Sequence, residues 1–228
     1  VLEAGIPLIV FDRLISDIEP TCEADMDNYE YGASSAVYLN DYFKDRLDAS
    51  EKIQVLEFKG DNSTASTVRS DGFNAKKHAG IEIVQAFSTD WQRAKSMEFM
   101  ETLLTNSEKD YIESIDAIFT HDGEITQGIM DAMENYKGPA SLANIKAIAG
   151  MAGRGYILET FKPLMDKFGI EQRCVYVTPG CAKVGVDLGF EAVTGKQIDK
   201  VVKIGYIEIT TANHQSFIDD PSLLNMLD

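Results

Sequence analysis

Short apolar runs alternate with amphipathic helical patterns along nearly the whole chain, and that alternation leaves few folds open. Runs with strand character lie at 6–11, 21–26, 52–59, 81–87, 117–119, 145–151, 174–178 and 201–211. Between them, helical patterns cover 29–47, a stretch from the polar turn 61–64 to about 79, a segment capped by Asp90 that runs through Leu104, then 124–136, 156–168 and 181–194. A strand-helix-strand order of this kind builds parallel sheets with helices on both faces, and right-handed crossovers send every strand exit to the same side. Ala117-Ile118-Phe119 has no helical period and reads as a strand buried on both faces. The tail after 211, with Asp219-Asp220-Pro221, reads as an extension rather than a core element.

Ligands of parallel α/β sheets collect outside the carboxyl ends of the strands, so polar residues there are better placed for binding than for packing. Asp12 and Arg13, Asn62 and Ser63, and His121 and Asp122 all fall at such ends. Arg13 and Arg69 supply forked donors, Asp12 and Asp122 supply acceptors, and Trp91, the only tryptophan, supplies a flat apolar face. That set suits a neutral polyol, whose hydroxyls donate and accept while a sugar ring packs on an aromatic side chain. Each residue also has a plainer reading: Arg69 as a solvated helix residue, Asp12-Arg13 as a structural ion pair, Trp91 as a staple at its helix start. A histidine beside Asp122 could make binding depend on pH.

Other chemistry is poorly represented. With 37 acidic against 21 basic residues the net charge is -16, which disfavours a phosphate backbone as partner, so no nucleic acid is expected. Three cysteines, Cys22, Cys174 and Cys181, form neither an even framework nor a metal-type spacing and are expected as buried free thiols. His78, His121 and His214 are scattered, and no metal ligand set is visible. Nucleophile elbow, phosphate-binding loop and zinc-protease motifs are missing. Gly150-Met151-Ala152-Gly153-Arg154-Gly155 has the context of a phosphate-cradling turn without the dinucleotide spacing. No apolar run approaches the ~18 residues of a membrane span. No catalytic residue, cofactor or metal is expected, and the chain is not read as an enzyme.

The segment Ala4-Gly5-Ile6-Pro7-Leu8-Ile9-Val10-Phe11-Asp12-Arg13 resembles the middle of a type I periplasmic solute-binding protein of the ribose and galactose class. Asp27-Asn28 opening a helix, the strand 55–60, Arg69-Ser70-Asp71-Gly72-Phe73, Asp90-Trp91 with Ala94-Lys95, and 118–122 follow in that family's order. The resemblance covers nearly the whole chain. It implies an α/β fold of two doubly wound parallel-sheet lobes joined by a three-strand hinge, the amino-terminal lobe incomplete. Residues 1–27 and 180–204 would belong to that lobe, and 28–179 and 205–228 to the carboxyl-terminal lobe. Hinge crossings would fall near Asp27-Asn28, near Pro179-Gly180 and near 204–206.

By the same resemblance, Asp12, Arg13, Arg69, Trp91, His121 and Asp122, with Ser63 as a further candidate, would bind a sugar or related polyol. The protein would act outside the cytoplasmic membrane, in the periplasm or lipid-anchored, as a monomer that delivers its ligand to the membrane permease of an ABC transporter. Two other readings share this fold: the effector-binding domain of a lactose-repressor-type transcription regulator, and the sugar-sensing domain of a receptor. The opening 2–7 reads like a helix end, a glycine stop and a strand already under way, so something is expected to precede it; by the resemblance, the part of the amino-terminal lobe absent here is on the order of a hundred residues and carries a signal sequence and further ligand contacts. The chain departs from the family at Gly150-Met151-Ala152, where a carboxylate that grips sugar hydroxyls is usual, and near Pro179, where an amide or acid is. A less hydroxylated ligand, a furanose or a polyol held differently, stays open.

Overall fold

The computed structural model describes residues 1–12, 17–177 and 180–225. Two sheets carry the chain. The smaller has three parallel strands, β1 (Ile9–Phe11), β2 (Cys22–Asp25) and β8 (Val201–Lys203), in the order β1-β2-β8. The larger has six, in the order β4-β3-β5-β6-β7-β9: β3 (Ile53–Lys59), β4 (Ile81–Ser88), β5 (Ala117–Thr120), β6 (Ala147–Ala152), β7 (Glu171–Tyr176) and β9 (Ile207–Thr210). All of its pairings are parallel except β7 with β9.

Strand periodicity explains how the large sheet is covered. Side chains alternate across a sheet with period two. Val55, Ala117, Phe119, Ala147 and Ala149 therefore share the face that packs under helices α1 (Asn28–Tyr42) and α3 (Thr64–Lys76), with Phe119 stacked on Phe73 at 4.3 Å. Leu56, Phe58, Ile118 and Ile148 take the other face, under α4 (Arg93–Asn106) and α6 (Gly123–Asn135). A third cluster lies between the sheets: Cys22 and Ala24 of β2, Tyr31 of α1, Val175 of β7, and Leu188 of helix α8 (Cys181–Val193). The chain passes from one sheet to the other after β2, between Val177 and Gly180, and at Ile204–Tyr206. All three cysteines are buried, and none forms a disulfide.

Several expectations need correction. The apolar run 201–211 is not one strand: it breaks into β8 in the small sheet and β9, antiparallel to β7, in the large one. The helix expected over 29–47 divides at Phe43 into α1 and α2 (Lys44–Asp48). Asp90 does not cap a helix; Asp90 and Trp91 both take left-handed backbone angles, φ 52° and 62°, and α4 starts only at Arg93. The first turn of the segment expected as a helix over 156–168 is a π-helix (Tyr156–Thr160), followed by α7 (Phe161–Phe168). The tail is part of the core: His214 and Phe217 of α9 (His214–Asp219) and Leu224 are buried, and the His214 ring stacks on Phe161 at 4.6 Å and bonds the Ile157 carbonyl at 2.6 Å.

One contact fixes the position of α1 and α3 relative to each other. Helices α1 and α3 cross backbone to backbone at Gly32 and Gly72. A Cβ on Gly32 would sit 1.8 Å from the Arg69 carbonyl oxygen, and one on Gly72 2.0 Å from that of Tyr29. Neither neighbour can give, because both atoms are main chain. We expect Gly72→Ala to cost roughly 1–3 kcal/mol or more through overpacking. Thermal unfolding checks this: Tm should fall by about 2–4 °C per kcal/mol for a chain of this size, whereas Gly153→Ala, with nothing within 4 Å of the added carbon, should leave Tm unchanged.

Candidate functional site

The α1–α3 crossing brings the start of α1 against the middle of α3, and the first consequence is the setting of Arg69. Its side chain is 6% exposed, so it is not a solvated helix residue. Its Nε donates to Asn28 Oδ1 at 2.8 Å, and Nη1 donates to the His121 carbonyl at 2.5 Å. The guanidinium carbon stands 5.1 Å from the Trp91 ring centroid and 5.9 Å from that of Tyr31. A planar cation between aromatic rings, with its fork already hydrogen-bonded, is fixed in direction before any ligand arrives.

The Trp91 ring reaches this place through a tight exit from β4. Thr89 N–H bonds the carbonyls of Lys59 and Gly60, and Asp90 N–H bonds that of Gly60, so the ends of β3 and β4 are tied together. The left-handed Asp90-Trp91 pair then folds the indole back onto Gly60, where an added Cβ would lie 2.2 Å from the ring. Only glycine fits there. Indole Nε1 is buried without a hydrogen-bond partner among the described residues, and so is Ser63 Oγ at the start of α3.

His121 is placed differently from the expectation that its side chain faces a ligand. The ring is fully buried. Nδ1 faces two donors, the Ser66 hydroxyl at 3.1 Å and the Gly60 N–H at 3.4 Å, which leaves the proton on Nε2, 3.3 Å from Glu57 Oε1. Burial pushes the imidazole below its usual value, against the opposing pull of Glu57. Burial pushes the Glu57 carboxyl up, but hydrogen bonds from His121 and from Ser70, the latter at 2.6 Å, outweigh it and hold the group below its usual value. The pair is therefore a neutral histidine donating to a carboxylate. What His121 offers Arg69 is its backbone carbonyl.

Asp122 caps α6, its Oδ1 accepting from Glu124 N–H at 2.8 Å, and burial pushes its carboxyl up. Asp12, in a left-handed conformation at φ 65°, faces a small cavity of ≈ 90 Å³ with Asp25, Asp27, Asn28, Thr64 and Lys203. Lys203 Nζ lies 2.6 Å from Asp25 and 3.2 Å from Asp27, the α1 cap, so β8, β2 and the start of α1 are joined by one ion-pair group. Arg13 lies outside the described residues. Arg69, Trp91 and the His121 main chain are thus brought together, with Asp12 across the small cavity from the start of α3. Asn28 was legible only as a helix opener; Glu57, Tyr31 and Ser66 had no sequence signal beyond Glu57 being an acid inside an apolar run. Ala152, at the β6 exit, is buried and offers no acceptor. No group of three or more metal-ligating side chains occurs among the described residues.

The buried pair gives stability a pH dependence of definite sign. A folded-state histidine held below its unfolded value keeps its contribution above about pH 6.5 and loses it as the pH falls, because the unfolded chain then binds the extra proton. Urea unfolding at pH 7.5 and pH 5.0 should therefore show a larger stability loss for the natural protein than for His121→Gln; equal losses would mean the imidazole is not held neutral.

The family described as periplasmic binding protein domain matches residues 1–197. The ribose import binding protein of Bacillus subtilis (strain 168) is 25% identical over 198 residues, covering 87% of this chain; the chain spans 58% of that relative's length. Among solved structures, a carbohydrate transporter solute binding protein from Agrobacterium radiobacter in complex with D-arabinose is similar with a TM-score of 0.76 at 18% identity, over 99% of this chain and 72% of that one. The periplasmic component of an arabinose ABC transporter from Shewanella sp. ANA-3, bound to α- and β-L-arabinofuranose, gives 0.74 at 19% identity, over 100% and 74%. These likenesses show the fold. With a match to 197 of its 228 residues, the chain belongs to the periplasmic binding protein domain family.

Proposed function

We propose that this chain is the sugar-binding part of an extracytoplasmic solute-binding protein, which closes on a sugar or related polyol and hands it to the permease of an ABC importer without a chemical step. The observation that carries this reading is the fixed Arg69 guanidinium, held by Asn28 and the His121 carbonyl beside Trp91, where the exits of β3, β4 and β5 meet. A pre-organised fork of this kind binds hydroxyls without paying to immobilise a long side chain. Trp91 supplies ring surface beside it, and Ser63 Oγ and Trp91 Nε1, unpartnered among the described residues, are polar atoms that a ligand hydroxyl can satisfy.

Residues 1–27 with 180–204 form one lobe of this account and 28–179 with 205–228 the other, and the hinge crosses at the three passages between the sheets. Asp12, Arg13 and Asp122 complete the polar set. The cavity beside Asp12 is too small for a monosaccharide, so the ligand enters by parting the lobes. Buried Ala152 at the β6 exit favours a ligand that needs no carboxylate on that side. A pentose or a furanose fits this condition, and it agrees with the ribose, arabinose and arabinofuranose of the similar proteins. The protein works as a monomer, in the periplasm or anchored at the outer face of the membrane.

The test is a thermal-shift and calorimetric panel of pentoses, hexoses and polyols on the full-length protein, since a ligand that binds only the folded form raises Tm. One sugar class should stabilise it, and no stabilisation by any sugar or polyol would contradict the proposal. For that sugar, Arg69→Ala should weaken binding at least tenfold, about 1.4 kcal/mol or more. Trp91→Ala should remove the stacking contribution, of order 0.5–1.5 kcal/mol. Natural affinity in both variants would move the ligand elsewhere.

A further inference from the structure

A buried polar atom without a partner is expensive, so folded proteins keep few of them. Among the described residues four side-chain atoms are in this state: the Tyr31 hydroxyl, Ser63 Oγ, Trp91 Nε1 and Arg173 Nε. Arg173 Nε belongs to a guanidinium that Ser35 and Glu208 already engage. The other three gather around Arg69, whose guanidinium carbon is 5.1 Å from the Trp91 ring centroid and 5.9 Å from that of Tyr31, while Ser63 opens the helix that carries it. Ser63 and Trp91 already belong to the candidate site, and Tyr31 is unaccounted for. Tyrosines away from this place are partnered: Tyr156 donates to Gln172 at 2.5 Å, Tyr111 of helix α5 (Lys109–Glu113) to Gln85 at 3.2 Å, and the Tyr136 hydroxyl accepts from the Ala140 N–H at 3.2 Å.

Tyr31 is 2% exposed, near the start of α1, and its ring sits where the hinge and the site meet. It shares a buried cluster with Met26, Val177 and Ile204, one apolar residue from each passage between the sheets. Tyr206, in the third passage, meets the ring edge-on at 5.6 Å. Phenylalanine would fill this space without desolvating a hydroxyl, so the phenol oxygen needs an explanation of its own. Burial pushes the phenol well above its usual range, Arg69 pulls against that, and Asp27 and Asp25 add to it. The hydroxyl is therefore a neutral donor within electrostatic reach of Arg69 and of two carboxylates that line the cavity beside Asp12. A ligand oxygen gripped by Arg69 brings an acceptor to the neighbourhood of this donor.

We propose that Tyr31 is a further ligand-binding residue, whose hydroxyl donates to a sugar hydroxyl held by Arg69 in the closed, ligand-bound state. The inference rests on the sugar-binding reading above. Because the ring lies among the three passages, the same bond ties the ligand to the hinge. The test is Tyr31→Phe in the full-length protein, which keeps the ring and removes only the oxygen. Its Tm without ligand should equal or exceed that of the natural protein, since the lost hydroxyl makes no bond there. Its calorimetric affinity for the sugar that stabilises the natural protein should fall at least tenfold. One monodeoxy analogue of that sugar should bind both proteins equally, which identifies the hydroxyl that receives the bond. Natural affinity in Tyr31→Phe would overturn the proposal, and so would a loss that persists with every monodeoxy analogue, because the oxygen would then act on the protein and not on the ligand. A lowered Tm without ligand would show the hydroxyl bonded in the free protein and overturn it too. Sugar binding that is lost in Arg69→Ala and intact in Tyr31→Phe removes this inference alone, whereas a natural protein that binds no sugar removes the sugar-binding reading with it.

Discussion

The candidate site depends on two glycines that touch no ligand. Gly32 and Gly72 let α1 and α3 approach until each meets the other's main-chain carbonyl, and those carbonyls belong to Arg69 and Tyr29. With helices this close, Asn28 at the start of α1 reaches Arg69 Nε in the middle of α3. A wider crossing, forced by a single methyl group, would separate the two and leave a buried guanidinium with a donor unsatisfied, an expensive state in a low-dielectric setting. The helix crossing and the direction of the Arg69 fork are therefore one structural fact.

Behind that fork is a second layer, buried except at Ser70 on its rim. Glu57, Ser66, Ser70 and the His121 ring form a closed set of hydrogen bonds, and its output to the site is the His121 carbonyl that receives Arg69 Nη1. Because the ring stays neutral and Glu57 stays charged, the layer adds one anion about a layer away from the buried cation. A second buried arginine acts towards the other side of the sheet, where Arg173 of β7, next to the edge strand β9, bonds Ser35 of α1 and Glu208 of β9, each at 3.0 Å. Helix α1 is thus held by one arginine at its first residue, Asn28, and by another at its middle, Ser35.

The parallel core was legible because its signal is periodic. The short run Ala117-Ile118-Phe119 has no polar residue to assign a solvent face, and β5 is buried throughout. Strand exits were legible for the same reason, and Arg69 and Trp91 do meet there. Features set by long-range contact were not. Within 201–211 the single Gly205 is the one local sign of a break between β8 and β9, and their different partners, β2 and β7, put them in different sheets. The tail looked solvated because its polar residues outnumber His214, Phe217 and Leu224, which the groove beside Phe161 buries. Asp90 resembled a helix cap, but the hydrogen bonds from Thr89 and Asp90 to the end of β3 impose a left-handed turn that no sequence pattern announces for an Asp-Trp pair. His121 fell at the right place in the chain with its ring facing inward, because an acid within an apolar strand, Glu57, was waiting for it.

The most direct test is a crystal structure of the full-length protein with its tightest-binding monosaccharide. The account predicts a sugar hydroxyl about 3 Å from the Arg69 guanidinium, the ring packed beside Trp91, and the bonds from Arg69 to Asn28 and to the His121 carbonyl unbroken. A sugar bound away from the β3, β4 and β5 exits would contradict it, as would an Arg69 that must leave Asn28 to reach the ligand.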